Sequence, residues 1–380
     1  MTDPKTKLVQ SQIGTDPAHG SVPPPLYMSS TYLWPNPSEK GEYDYGRTNN
    51  PNRDGLAQTL AELDGGAGAV ITSSGMSAID LTLNLLDADD LILAPHDCYG
   101  GTHRLFTHRA KQNRLRVEFV DQSDERALNA ALAKKPKLVF IETPSNPLMR
   151  VVDVQKICKA AKAAGALSVV DNTFLTALRL RPLDLGADIT VQSTTKYING
   201  HSDIIGGCVV AKSADLAETL AWWANCTGVT ASAFDCYQTL RGLRTLSLRL
   251  DAAEANAIAI AEFLQTQTTV KAVYSPALSS HPQSDIIKAQ QSGPGPMLSF
   301  ELENLEAATK FCSALNIFKL AASLGGVESL ICLPETMTHR GMEETARREA
   351  GISEGLLRLS VGIEAKSDLI ADLVKGFSSI

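Results

Sequence analysis

The sequence predicts an α/β protein: a mostly parallel sheet flanked by helices, followed by a smaller C-terminal α+β domain. Three observations predict it. From Ala69 to Asp171, short apolar runs alternate with helical stretches of about a dozen residues, the rhythm of strands buried on both faces. Each apolar run gives way to polar text: SSGM, PHDCYGG, ETPSNP, DNTF and STTKYINGHSD. Beyond about Leu250 the rhythm changes to a long helical run, DAAEANAIAIAEFLQTQ, and then to MLSFEL, SLGGVESLI and LLRLSVGIE. A chain of 380 residues can bury about two cores of ordinary size.

Residues 1–46 carry no period and are rich in Pro, Ser, Tyr and Asn, so they are expected to form an arm lying over another domain or another subunit. Residues 47–250 are expected to form the main domain. NRDGLAQTLAELDGG places Leu56, Leu60 and Leu63 at i, i+4 and i+7 and ends on two glycines, a helix with a stop signal. AVIT, DLILAP, RVEFVD, KLVFIET and ALSVVD read as buried strands, with MSAIDLTLNLL, RLFTHRAKQ, LNAALAKK and VDVQKICKAAKAAG as the helices between them. ADITVQS alternates and reads as a strand ending at Ser193. Residues 251–380 are expected to form the C-terminal domain. Ligands of such sheets bind beyond the carboxyl ends of the strands, so the polar tails are expected to converge on one crevice.

A net charge of −7 gives no electrostatic footprint for nucleic acid or an anionic membrane surface. HRAKQNRLR is locally basic and reads as a solvated helix face. MTDPKTKLVQ has no apolar run behind its charges, and no stretch suits a transmembrane helix, so a cytoplasmic location is expected. Seven scattered cysteines without a C-x-x-C pair imply reduced, mostly buried thiols rather than disulfides or a zinc site. In that setting the sequon Asn225-Cys226-Thr227 is accidental. GGAGAV and GPGPML lack the third glycine of a dinucleotide fingerprint, and neither a P-loop nor H-E-x-x-H is present.

Lys196, in QSTTKYINGH, invites two readings. Ser193-Thr-Thr-Lys196 matches S-x-x-K, in which the serine is acylated; that arrangement needs the serine on a helix's first turn and a downstream Lys-Thr-Gly, which the chain lacks. Alternatively the lysine is the nucleophile. Its deprotonation at neutral pH costs ~4–5 kcal/mol for a free side chain, a cost that burial and nearby cations reduce. Pyridoxal phosphate uses such a lysine and makes further demands. Its phosphate wants helix-start amides and hydroxyls, which Gly75, Met76, Ser193 and Thr195 offer. Its ring nitrogen wants a buried carboxylate. Asp171 closes ALSVVD in a suitable place, or else caps Asn172 and Thr173. Tyr99 either stacks on the ring or is a plain loop aromatic.

Asp171-Asn172-Thr173, the lysine in STTKYINGHSD, and the segments APHDCYGGTHRLF, ETPSNPL and SLGGVESL resemble the pyridoxal-phosphate enzymes of cysteine and methionine metabolism, from about Tyr43 to the C-terminus. The resemblance implies their pyridoxal-phosphate transferase fold type I. It also implies a homotetramer built from two dimers, in which Tyr45-Gly46-Arg47 of the arm reaches the neighbour's cofactor phosphate, as a forked guanidinium suits a dianion. It makes Lys196 the Schiff-base lysine and general acid/base, Asp171 the pyridinium partner and Tyr99 the stacking ring of the catalytic centre. Asn146 would bond the cofactor's phenolic oxygen and border the substrate. Arg358 would clamp the substrate carboxylate, assisted by the backbone near Ser323, and Arg104 would hold the substrate's distal end, with Tyr45 nearby.

The reaction implied is γ-replacement: the sulfur of L-cysteine displaces the acyloxy group from Cγ of an O-acyl-L-homoserine (O-succinyl or O-acetyl), which leaves as the carboxylate, to give L-cystathionine, a step of methionine biosynthesis by trans-sulfuration. The alternative is β- or γ-elimination from cystathionine. It stays open because Ala322, in AASLGGVES, stands where many γ-acting relatives carry glutamate.

Overall fold

The computed structural model describes residues 2–380. Its large sheet contains β1 (Gly68–Thr72), β2 (Leu91–Pro95), β3 (Arg116–Val120), β4 (Leu138–Glu142), β5 (Leu167–Asp171), β6 (Ile189–Gln192) and β7 (Gly207–Ala211). They lie in the order β1-β7-β6-β5-β4-β2-β3. Every pair from β6 to β3 is parallel, while β7 runs antiparallel to both of its neighbours. β7 is a strand that the sequence rhythm omits. An antiparallel partner needs no crossover helix, so it breaks the strand-helix alternation that reveals the others.

β2 and β4 are buried at every residue, as continuous apolar strands between two helical layers must be. β6 is also buried throughout despite its alternating text. Its polar Gln192 faces protein rather than water and donates a 2.7 Å hydrogen bond to the buried carboxylate of Asp64. The alternation therefore marks two different buried layers.

Four helices shape the site. α1 (Pro4–Gln10) starts at Asp3, whose carboxylate accepts from the Lys5 N–H, and inserts Leu8 into the main core. The first residues of the arm are thus anchored by an apolar side chain. α2 (Pro51–Asp64) begins with Asn50 accepting from the amides of Asn52 and Arg53, and ends at Gly65 with φ 75°. α3 (Gly75–Thr82) is capped by Ser74, and α4 (Gly100–Lys111) follows Tyr99. HRAKQNRLR is not one helix face: α4 ends at Lys111, Asn113 turns with φ 56°, and Arg116 opens β3.

The second sheet contains β8 (Ala272–Tyr274), β9 (Met297–Glu301), β10 (Lys319–Leu320), β11 (Leu330–Cys332) and β12 (Leu356–Ser360), in the order β10-β11-β12-β9-β8. A separate core forms there, where Phe300, Phe311 and Phe377 pack ring against ring. Of SLGGVESLI only the last two residues enter a strand. Ser323 at φ 91° and Gly325 at φ 80° require a loop instead. Six cysteines are buried, Cys226 is exposed, and all are free. Among the described residues, no helix is long and apolar enough to cross a membrane, and no cluster of three or more His, Cys, Asp or Glu could hold a metal.

Candidate active site

The carboxyl ends of β2, β4, β5 and β6 lie side by side, that of β1 reaches the same edge of the sheet across β7, and the polar tails that follow them supply most of the candidate site residues. Lys196 sits one turn beyond β6, in a tight loop closed by hydrogen bonds from Lys196 N–H to Ser193 O (3.1 Å) and from Gly200 N–H to Lys196 O (2.7 Å). Arg249, buried, holds the loop from beneath by donating to the carbonyls of Tyr197 (2.7 Å) and Ile198 (3.2 Å). The lysine Nζ donates to Ser323 Oγ at 2.7 Å. Burial, and secondarily the nearby Arg358 cation, lower its pKa from 10.5 to about 8. The amine is therefore far closer to its neutral, nucleophilic form than an ordinary lysine. It is bonded to Ser323 rather than Ser193, so the acyl-serine reading lacks its proton relay.

The loop carrying Ser323 is pressed against this turn, because a Cβ on Gly325 would lie 2.7 Å from Tyr197 N. The Gly325 amide donates to Ser360 Oγ at 2.8 Å, tying the loop to β12. Arg358, also on β12 and buried, donates from Nη1 to Asn146 Oδ1 (2.9 Å) and from Nη2 to Ser323 O (2.7 Å). Its Nε is buried without a partner. Lys196, Ser323, Arg358 and Asn146 thus form one chain of hydrogen bonds across the two sheets.

Asp171 ends β5 and accepts from the Thr173 N–H at 3.0 Å. Burial raises its pKa, opposed by the bonds from Thr173. Among the described residues no Lys, Arg or His pairs with it. Asp171 is half-buried at the crevice, and a carboxylate desolvated there without a cation is costly unless a ligand supplies one, as a protonated pyridine ring does.

Gly75 is the first residue of α3, and a Cβ there would lie 2.7 Å from the Ser193 Cβ. The start of a helix is thereby brought against Ser193, as a phosphate cradle requires. The Ser193 amide is held by Thr173 Oγ1 at 2.9 Å. The Thr195 hydroxyl is engaged in its own chain, donating to Gly206 O and accepting from Gly206 N–H. Tyr99 precedes α4 and its ring lies over Gly101, where a Cβ would come within 2.5 Å of Cε1 and 3.0 Å of the Met76 sulfur. Tyr45 and Arg47 are exposed on the arm, with Arg47 Nε donating to Asn225 Oδ1 at 3.1 Å. The single chain does not bring this pair to its own Lys196 loop by any hydrogen bond. Arg104 is exposed on α4, with its guanidinium near Gly341, and likewise makes no bond to the other candidates. Ala322 is part of the loop before Ser323 and offers only a methyl group.

Two residues absent from the sequence expectations join the site. Glu142, the last residue of β4, accepts from the Tyr99 N–H at 2.9 Å and is the register partner of Asp171. His339 is buried, bonds the Asn146 carbonyl at 3.0 Å, and is lowered to about pKa 4 by burial and Arg358. The polar text ETPSNP hinted at Glu142, while nothing local to His339 distinguishes it. The half-buried acid without a cation, the depressed lysine and the helix-start cradle together fit pyridoxal phosphate.

Comparison with known proteins agrees. Residues 5–378 match the family model described as Cys/Met metabolism PLP-dependent enzyme. The chain is 55% identical to a cystathionine gamma-synthase of Escherichia coli (strain K12) over 374 residues, 98% of this chain and 97% of the relative. It is 43% identical to a cystathionine beta-lyase of Lactococcus lactis subsp. cremoris (strain MG1363), over 98% of both chains. A crystal structure of cystathionine gamma synthase from Xanthomonas oryzae pv. oryzae, in complex with aminoacrylate and cysteine, superposes with a TM-score of 0.99 at 51% identity, covering 100% of this chain and 98% of that one. With a lysine, an acid and a phosphate cradle meeting at the strand ends, the chain belongs to the Cys/Met-metabolism family of pyridoxal-phosphate-dependent enzymes.

Proposed function

We propose that the protein is a pyridoxal-phosphate-dependent γ-replacement enzyme joining L-cysteine to an O-acyl-L-homoserine to give L-cystathionine. The similarity along the whole chain to the Escherichia coli gamma-synthase carries the choice of reaction. The hydrogen-bonded chain from Lys196 to Asn146 supports the chemistry.

When bound, the cofactor supplies an electron sink for the charge left by proton removal. Asp171 would hold the ring nitrogen in its protonated form. The amides of Gly75 and Met76, with Ser193 and Thr195, would hold the phosphate, and the exposed Tyr45 and Arg47 would reach the same group on a neighbouring copy in a homotetramer. Tyr99 would stack on the ring and Asn146 would bond the phenolic oxygen. Arg358, its guanidinium held in place by donating to Ser323 O, would orient the amino-acid carboxylate beside Lys196, and Arg104 would meet the distal end of the acyl substrate. Lys196 Nζ takes and returns the substrate protons. One amine can serve successive steps because its partners hold it at a fixed point, replacing bimolecular encounters.

The test incubates the protein with O-succinyl- or O-acetylhomoserine, with and without cysteine. Cystathionine made only with cysteine supports replacement. A second reading, elimination from cystathionine, rests on Ala322 and would appear as pyruvate or 2-oxobutyrate formed from cystathionine alone. Lys196→Ala should abolish the cofactor's yellow colour and its borohydride-stable attachment.

A further inference from the structure

The end of the sheet holds two acids side by side. Glu142 and Asp171 are paired residues at the ends of neighbouring parallel strands, so their side chains leave the sheet on the same face. No Lys, Arg or His forms an ion pair with Glu142 among the described residues. What it does have is backbone: the Tyr99 N–H donates to its Oε2 at 2.9 Å, and the amide of Asn146 faces the same carboxyl group. Tyr99 and Asn146 are two of the residues assigned here to the cofactor, and they stand on different loops, one after β2 and one after β4. Glu142 is the side chain that both loops share.

We propose that Glu142 is a positioning residue for the cofactor: by accepting from the amide of Tyr99 and facing that of Asn146, it fixes the aromatic ring and the amide side chain relative to Asp171. It does so as a neutral carboxylic acid. Two carboxylates at paired positions of neighbouring strands, largely shut off from water, resist ionising together, and Asp171 is the one that a cationic ring would hold ionised. Burial first, and then the charge of Asp171, push the Glu142 carboxyl well above the usual range; Asp97 adds to this, and the two backbone amides oppose it. The buried thiol of Cys98, between Asp97 and Tyr99, is pushed up by the same surroundings and adds no cation. Neutral Glu142 keeps an accepting oxygen for Tyr99 without competing with Asp171 for the ring proton.

The inference rests on the cofactor assignment above. The test uses the whole holoprotein and two variants, Glu142→Gln and Glu142→Ala, read by the cofactor's visible absorption and induced circular dichroism, by its pH titration and by its dissociation constant. Glutamine imitates a protonated acid, so E142Q is expected to keep the parent dichroic band and titration midpoint. E142A leaves the Tyr99 amide without its acceptor. It is expected to weaken cofactor binding about five- to a hundredfold and to diminish the dichroic band. The proposal is overturned if E142A keeps the parent band and affinity, or if E142Q shifts the titration midpoint by about a unit or more, since that would show an ionised Glu142. Should E142A fail to fold, the E142Q titration alone decides. Parent protein that binds no cofactor would instead defeat the cofactor assignment itself, a result visible before any variant is made.

Discussion

The Lys196 amine lies 2.7 Å from the hydroxyl of Ser323, a residue 127 positions away that the backbone holds at φ 91°. A non-glycine residue in this region is uncommon and is held there by its surroundings. Here those are Arg358, bonded to the Ser323 carbonyl, and Gly325, packed on the lysine turn.

The lowered pKa of Lys196 has two consequences in the apoprotein. Below about 8 the amine is protonated and a poor nucleophile, so covalent uptake of pyridoxal phosphate should speed up about tenfold per pH unit up to about 8 and then level off. Between about 8 and the ordinary 10.5 the unfolded chain binds more protons than the folded one, so this group's contribution makes the apoprotein more stable as pH rises through that window. Stopped-flow absorbance and denaturant melts at several pH values check each. Arg358→Met should move the uptake break to higher pH, because it removes the cation that helps lower the amine's pKa.

Replacing Arg358 by lysine keeps a charge but loses the fork that spans Asn146 Oδ1 and Ser323 O. The KM for the acylhomoserine should rise about ten- to a hundredfold, with a smaller fall in kcat, as expected for the loss of a charge-assisted bond. Steady-state kinetics with the cofactor saturating make the distinction. A change confined to kcat would remove Arg358 from substrate binding.

Asp171→Asn should leave a folded protein that still binds the aldehyde at Lys196, with turnover lowered at least about a hundredfold. Asparagine cannot carry the negative charge that holds the ring proton. The check is an absorption spectrum beside a rate: normal turnover with the variant's spectrum unchanged would mean that Asp171 is only a cap for Thr173.

Gly325→Ala separates strain from site damage. Both Gly325 at φ 80° and Gly228 at φ 74° would hold alanine in the left-handed region, at about 1–2 kcal/mol. Around Gly228 nothing lies within 4 Å of an added Cβ, while at Gly325 the methyl would meet Tyr197 N at 2.7 Å. Both variants should melt a few degrees lower. Only Gly325→Ala should also lower kcat, by displacing the Lys196 turn.

The strand-helix rhythm, the buried strands β2, β4 and β5, and the glycine stop of α2 were legible in the residues, because each is set by local pattern: period or punctuation by glycine. β7 was not, since antiparallel pairing leaves no crossover helix to announce it, and the alternating text of β6 gave no sign that the fold buries both of its faces. Lys196 and Asp171 could be picked out from the strand ends that carry them. Arg358 could not be told from other arginines by its neighbours in sequence. Its role arises because β12 runs beside β9 and β11 in the second sheet and sends its side chain back to Asn146 of the first.

The sequence by itself determined most of the strands and helices of the large sheet and which chemistry-bearing residues stand at their ends, because those depend on neighbours within a few positions. Only the tertiary structure decided that Glu142 lies beside Asp171, that Ser323 meets Lys196, and that Arg358 joins them to Asn146. These contacts link residues far apart in the chain, and strand order, domain packing and a loop held at positive φ bring them together, none of which a local pattern encodes.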